Sequence, residues 1–404
     1  MALTIPAIRR QFPLLAREDL TYLDTAATAQ KPQAVLDAMR EFYERSYANP
    51  HRGMHILAEE ATVAFEDARK SVQRFLNAEH LEEIVFTKNC TEAINLVARS
   101  WGSQLKKKDA IAVSLLEHHS NIVPWFQCRE QTGAQVAWIE IDDEGHILLD
   151  SLDRLLAKGD VKLVAITALS NVLGVRPPLE EIICRAHAAG ALVLLDAAQA
   201  AGHGPIDVQK LDCDFLAFSG HKIYGPTGIG VLYAKREILE AMPPFLGGGK
   251  MIREVREDGF SPADIPLRFE AGTQPVAEAI GLRAAIEWGE QFTWKDRIAH
   301  ERELLKRATS VLSGIDGVSL LGPRSVDERS SCISFTVEGI HPHDLTDILG
   351  RKGICMRAGH HCTQPLHRRL GIIASTRLSV GIYNTLEEID RVGPAITDAR
   401  ARFA

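Results

Sequence analysis

The residues from Ser219 to Gly230, Ser-Gly-His-Lys-Ile-Tyr-Gly-Pro-Thr-Gly-Ile-Gly, set Lys222 after an apolar run and before a glycine- and proline-rich turn. Most lysines are solvated surface charges. A lysine in this setting is partly desolvated, which lowers the pKa of its amine and makes it a nucleophile. Schiff-base chemistry with an aldehyde needs such an amine. Upstream, Asp196 closes the apolar run Leu192-Val193-Leu194-Leu195. Alone it reads as a carboxylate capping a turn; with Lys222 it reads as the partner of a protonated pyridine nitrogen. A Schiff-base lysine and an aspartate facing a pyridinium are what pyridoxal phosphate (PLP) requires as an electron sink. Gln199, three residues on, is placed to hydrogen-bond a phenolic oxygen.

A phosphate needs donors. Asn89-Cys90-Thr91-Glu92 reads as a helix N-terminus, whose free N–H groups and positive dipole end suit an anion, or as a simple capped helix. Ser219 and His221 add donors beside Lys222. His118-His119 has no carboxylate or cysteine at metal-ligand spacing, so no metal is expected there. A flat imidazole stacked on a ring and relaying a proton is the alternative. In Arg357-Ala358-Gly359-His360-His361-Cys362 a structural zinc site would lack its fourth ligand. A single cysteine is often a small buried hydrophobe. Among Gly, His and Arg, however, a loop thiol can fall below its free pKa of about 8.5 and act as a nucleophile. Arg377, inside the strand pattern Ser375–Ser379, is costly unless paired, which suits a clamp for a substrate carboxylate. Gly228-Ile229-Gly230 precedes a strand, whereas a dinucleotide-binding glycine loop follows one. Gly247-Gly248-Gly249-Lys250 lacks the spacing and the Ser/Thr of a P-loop and reads as a flexible loop near the site entrance.

The elements that must position these groups are legible as short apolar runs: 84–87, 110–115, 136–141, 163–167, 192–196, 215–219 and 229–233. They are continuous rather than alternating, as strands buried on both faces should be. Helical patterns over 91–99, 121–131 and 179–189 separate several of them, which implies an α/β domain with a mostly parallel sheet. The last two runs lie too close for a crossover helix, so one edge strand is expected to be antiparallel. Long helices are expected over 57–76, 276–291 and 296–313. A smaller α/β layer follows, with strands at 332–337, 354–356 and 376–380 and helices at 343–351 and 386–402. In open parallel sheets ligands bind at the carboxyl ends of strands, and the polar motifs above fall there.

The chain has 404 residues, 46% hydrophobic and 25% charged, which excludes a disordered or fibrous chain. Its net charge of −7 argues against nucleic-acid binding. No apolar run nears the roughly 20 residues that span a bilayer, and the first residues hold no signal core, so a cytoplasmic location is expected. The 7 cysteines are odd in number and contain no C-x-x-C pair, as a reducing compartment tolerates.

Taken together, these motifs resemble the fold-type I, class V aminotransferase-like PLP enzymes, and within them the group II cysteine desulfurases of the Suf/Csd type. The resemblance covers essentially the whole chain. It runs from Tyr22-Leu23-Asp24-Thr25-Ala26-Ala27 through His51-Arg52-Gly53, Thr91–Asn95, Glu117–Asn121, Ser170–Gly174 and Asp196–Gln199 to Ser219–Gly230, Phe269–Thr273 and Arg357–Cys362. The longer serine-rich cysteine loop of group I is absent. The resemblance implies a large, mostly parallel seven-stranded PLP-binding domain over residues 21–275. Residues 1–20 and 276–404 would form a smaller α/β domain carrying the cysteine loop. Lys222 would carry the cofactor as a Schiff base, Asp196 would face the pyridine nitrogen, Gln199 the phenolic oxygen, and His118 would stack on the ring. Thr91, Ser219 and His221 would hold the phosphate, with Thr273 supplied across a homodimer interface. Arg377 and Asn171 would hold the substrate carboxylate with Arg357 nearby, and His51 and Arg52 would lie at the entrance. Cys362 would take sulfur from L-cysteine as a persulfide, release L-alanine with help from His118, and pass the sulfur to an acceptor protein for iron–sulfur cluster assembly. Asn89-Cys90 stands where Gly-Thr is usual, leaving Cys90 only its backbone N–H as a donor, and Gln274-Pro275 stands where Pro-Asn is common. A selenocysteine lyase, an aminotransferase on the same scaffold and a non-catalytic sulfur relay are the alternatives.

Overall fold

The computed structural model describes residues 4–51 and 53–403; Arg52 lies outside them. The larger sheet has seven strands, in spatial order Ile84–Thr87, Gly230–Ala234, Phe215–Ser219, Leu192–Asp196, Val161–Thr167, Ala110–Ser114 and Gln135–Ile139. Every strand runs parallel except Gly230–Ala234, which is antiparallel to both neighbours. The expected antiparallel strand is therefore real but not at the edge. The short turn after Phe215–Ser219 folds the chain back beside itself, and Ile84–Thr87 then covers the outer side. Central strands are buried on both faces, as their unbroken apolar runs require.

Helices cover both faces. On one side lie Ile56–Leu76, Leu179–Ala188 and Val276–Glu290; on the other lie Cys90–Arg99 and Val123–Thr132. Ile56–Leu76 buries Ala58, Ala61, Phe65, Ala68, Val72 and Leu76, one apolar stripe at helical spacing, and ends at Asn77 in the left-handed conformation. Its Arg69 is buried on the same stripe. It is satisfied by a two-pronged ion pair to Glu270 (2.7 and 2.9 Å) and by the Ile84 carbonyl at 2.7 Å. Val276, Ala277, Ala279, Leu282 and Ile286 join this core.

A second, four-stranded antiparallel sheet orders Val318–Leu320, Cys332–Val337, Ser375–Ser379 and Arg357–Gly359. It packs against Trp294–Ser313, Pro342–Arg351 and Val392–Arg400 around its own apolar core. Arg357–Gly359, read from sequence as part of a loop, is thus an edge strand. The single helix expected over 386–402 is two, Leu386–Asp390 and Val392–Arg400. Pro394 has no N–H for the Asp390 carbonyl, so the chain turns there. The N-terminal segment is tied across both layers: Phe12 makes edge contacts with Tyr224, Trp288 and Tyr383, and Thr21–Tyr22 pairs with Ile354–Cys355. Among the described residues no helix is long and apolar enough to cross a membrane.

Candidate active site

The carboxyl ends of the parallel strands converge on a cavity of ≈ 590 Å³, lined by Asn89 to Thr91, His118, Asn171, Asp196, Gln199, Ser219, His221 and Lys222 from the large sheet. Arg357, His360, His361, Cys362 and Arg377 close it from the smaller sheet. Lys222 opens partly onto the cavity, yet its surroundings are dense enough that burial pushes its amine below the ordinary lysine range. Asp196 and Cys90 counter that, and Arg377 adds to it. Asp196 is 3% exposed, and its Oδ1 accepts from the Ala198 N–H at 2.9 Å and from the Cys90 thiol at 3.4 Å. That thiol contact corrects the reading of Cys90 as a backbone donor alone. The Cys90 N–H instead donates to Ser219 Oγ at 2.8 Å, which leaves the Ser219 hydroxyl its own proton to give.

Asn89 caps the Cys90–Arg99 helix by accepting from the Glu92 N–H at 2.9 Å. Gly230 lets the strand beside it approach: a Cβ there would sit 2.4 Å from the Asn89 Cα. Gln199 donates to the Ala26 carbonyl at 2.7 Å, which orients its amide. His118 Nδ1 accepts the Ser120 N–H at 3.1 Å, so the ring proton sits on Nε2. Burial, then the charge of Lys222, brings His118 down to about 3. His221 falls to about 4 for the same reasons, with its Nδ1 3.1 Å from Thr28 Oγ1. Both imidazoles are neutral at pH 7. Beneath His118, Glu117 is buried against Asn121 (2.7 Å) and the Thr167 N–H (2.9 Å), and burial raises it to about 8.

Arg357 and Arg377 are directly opposed across two antiparallel strands, a pairing that repels unless compensated. Asp24 compensates both. It accepts from Arg357 at 2.8 Å (Nη2) and 3.1 Å (Nε), and from Arg377 Nη2 at 3.3 Å. Arg377 Nη1 donates to the Asn171 carbonyl at 3.0 Å, while its buried Nε has no hydrogen-bond partner among the described residues. Asn171 is held in place because Gly174, at φ +71, lets its loop lie against Ser330, where a Cβ would meet the Ser330 carbonyl at 2.5 Å.

Cys362 is exposed, at the mouth. His361 and Cys362 have φ of 48° and 57°, successive left-handed residues costing roughly 1–2 kcal/mol each. Hydrogen bonds to their carbonyls from Asn171 Nδ2 (2.9 Å) and the His119 N–H (2.7 Å) offset that cost and turn the thiol toward the cavity.

Two expected groups are not brought to this cavity within one chain. Thr273 lines a separate cleft of ≈ 390 Å³ with Lys88, Glu92 and Phe245. His51 packs edge-on against Phe65, its Nε2 3.5 Å from Glu66. Two groups went unread in the sequence. Asp24 has no role that its local sequence reveals, and only the cross-strand arginine pair gives it one. His343, from Pro342–Arg351, lines the mouth, and nothing in its local sequence announces that. Among the described residues no group of three or more His, Cys, Asp or Glu could hold a metal ion.

The family model described as aminotransferase class-V matches residues 21–392. A probable cysteine desulfurase of Streptomyces coelicolor is 46% identical, over 98% of this chain and 97% of its own length. A cysteine desulfurase of Haloferax volcanii is 42% identical over 99% and 98%. Among solved structures, the cysteine desulfurase CsdA of Escherichia coli, in an S-sulfonic acid form, superposes with a TM-score of 0.93 at 41% identity, covering 100% of both chains. The apo cysteine desulfurase of Thermococcus onnurineus gives 0.94 at 40%, covering 99% of each. Matched in sequence and in architecture over nearly its whole length, the chain belongs to the aminotransferase class-V family.

Proposed function

We propose that this protein is a PLP-dependent cysteine desulfurase that converts L-cysteine to L-alanine and keeps the sulfur as a persulfide on Cys362. The observation that carries the reading is one cavity holding a desolvated lysine beside a buried aspartate, with an arginine clamp and an exposed cysteine at its mouth. The donor set fits PLP: a ≈ 590 Å³ space suits a small cofactor with its substrate, and Asp196, Gln199 and the Cys90–Arg99 N-terminus surround Lys222. Thr91, Ser219 and His221 would hold the phosphate, and Asp196 would face the ring nitrogen. When bound, PLP supplies an electron sink for charge developing at the substrate Cα.

The chain's own groups do the rest. Arg377, which lines the cavity, grips the substrate carboxylate with Asn171 alongside and Arg357 nearby. The Lys222 amine, held below its usual pKa by burial, takes the Cα proton. Neutral His118 presents Nε2–H over the site and moves protons there. The Cys362 thiolate attacks the substrate sulfur. A sulfur–sulfur bond forms, the carbon–sulfur bond breaks, and its electron pair stays with the carbon skeleton, which is protonated and leaves as alanine.

On this reading the persulfide sulfur passes to an acceptor protein serving iron–sulfur cluster assembly in the cytoplasm, and the enzyme works as a homodimer in which a second copy supplies Thr273 and His51. Neither residue lines the cavity within one chain, which supports that. The PLP-binding domain spans residues 21–275 on this reading, and the smaller domain of residues 1–20 and 276–404 grips it through Val276–Glu290. The test is to incubate PLP-loaded protein with L-cysteine and quantify alanine and, by intact mass, a sulfur adduct. Equimolar alanine and adduct, both lost in Cys362→Ala, are expected. Turnover indifferent to Cys362 would sink the desulfurase reading in favour of an aminotransferase. Selenocysteine turned over far faster than cysteine would make it a selenocysteine lyase.

A further inference from the structure

Two thiols line the cavity, and the chemistry above uses only one. Cys90 is 4% exposed at the first position of its helix, and its Sγ lies 3.4 Å from Asp196 Oδ1. Asp196 Oδ1 also takes the Ala198 N–H at 2.9 Å, so this oxygen is held by two donors. Oδ2 has no hydrogen bond among the described residues, while Asp196 itself faces the cavity. A carboxylate needs both a fixed plane and one uncommitted oxygen to meet a ring nitrogen in a single geometry.

We infer that Cys90 is a positioning residue for the cofactor: its thiol donates to Oδ1 of Asp196, fixes the carboxylate plane and leaves Oδ2 as the oxygen that meets the pyridine nitrogen. The inference rests on the cofactor reading above. It follows from the side chain at this position, because an alanine would offer Asp196 no donor and a hydroxyl would keep one. The thiol stays protonated and able to donate, since burial and the adjacent carboxylate both push its pKa up.

The experiment titrates PLP into the cofactor-stripped full chain of wild type, Cys90→Ala and Cys90→Ser, following the cofactor's absorption and the protein fluorescence. Ala and Ser both shorten the side chain, so their difference reports the donor. A thiol is a weak donor, so its hydrogen bond has only the ordinary net worth and predicts about three- to tenfold weaker binding for Cys90→Ala, with Cys90→Ser within about twofold of wild type. A second readout is the infrared S–H stretching band that Cys90→Ser removes, which should move in Asp196→Asn while the bands of the other buried thiols stay. Equal affinity of Cys90→Ala and Cys90→Ser, or a band that ignores Asp196→Asn, overturns the inference while leaving the proposed function standing. Wild-type protein that binds no PLP overturns both.

Discussion

Arg377→Lys separates charge from geometry at the carboxylate clamp. Arg377 is 2% exposed and lines the cavity, with Nη1 on the Asn171 carbonyl and Nη2 on Asp24, so a substrate carboxylate shares a guanidinium fork whose plane the protein already fixes. A lysine keeps the positive charge but offers one point of donation on a shorter stem. Its amine can replace one protein contact or reach toward the substrate, but it cannot do both in the planar arrangement. The substrate carboxylate therefore loses about one charge-assisted hydrogen bond, on the order of 1.5–3 kcal/mol. At about 1.36 kcal/mol per decade that is roughly a 10- to 150-fold rise in KM. The loss falls mainly on KM, because the carboxylate is held alike before and during the chemistry. The assay is alanine formation against L-cysteine concentration, with melting temperature and PLP content measured beside it. A KM within threefold of wild type, or a fall in kcat with KM unchanged, would refute the assignment of Arg377 as the clamp.

Further outcomes follow from the same geometry. Glu270→Gln removes the two-pronged counter-charge of the buried Arg69 guanidinium, leaving it only Glu66 at 3.0 Å, and should cost up to about 3–5 kcal/mol in urea unfolding, with kcat per folded molecule unchanged. A marked loss of kcat would give Glu270 a place in the chemistry instead. Gly230→Ala drives a Cβ into the Asn89 backbone, and the displaced helix N-terminus should lose PLP on dialysis that wild type survives. His118 and His221 sit at about 3 and about 4, below the unfolded value near 6.5. The unfolded chain therefore binds more protons between those values, so the stability they contribute is present above pH 6.5 and declines as pH falls toward 3. Melting temperature should drop across that window, and His118→Gln should flatten part of the drop. An unchanged slope would show that His118 is not the neutral, desolvated group described.

Local chemistry made much of this protein legible from the sequence. Unbroken Val/Ile/Leu runs belong only to strands covered on both faces, so the Leu192–Asp196 and Phe215–Ser219 strands were readable to the residue. Lys222, Asp196 and Cys362 stood out because each breaks the pattern around it: a charge at the end of an apolar strand, a thiol among histidines. What eluded the sequence depends on partners distant along the chain. The antiparallel strand became internal because Ile84–Thr87 arrives from far upstream to pair with it. Arg357–Gly359 became a strand because Ser375–Ser379 offered it an edge. Asp24 acquired a role only when that pairing set Arg357 and Arg377 face to face. Cys90 read as a backbone donor because spacing carries no information on where a thiol points. The sequence by itself determined which residue types end each strand, since burial selects them locally. Which of them share a hydrogen bond was decided by tertiary structure alone, because a 3 Å contact is set by the packing of elements that meet only in the fold.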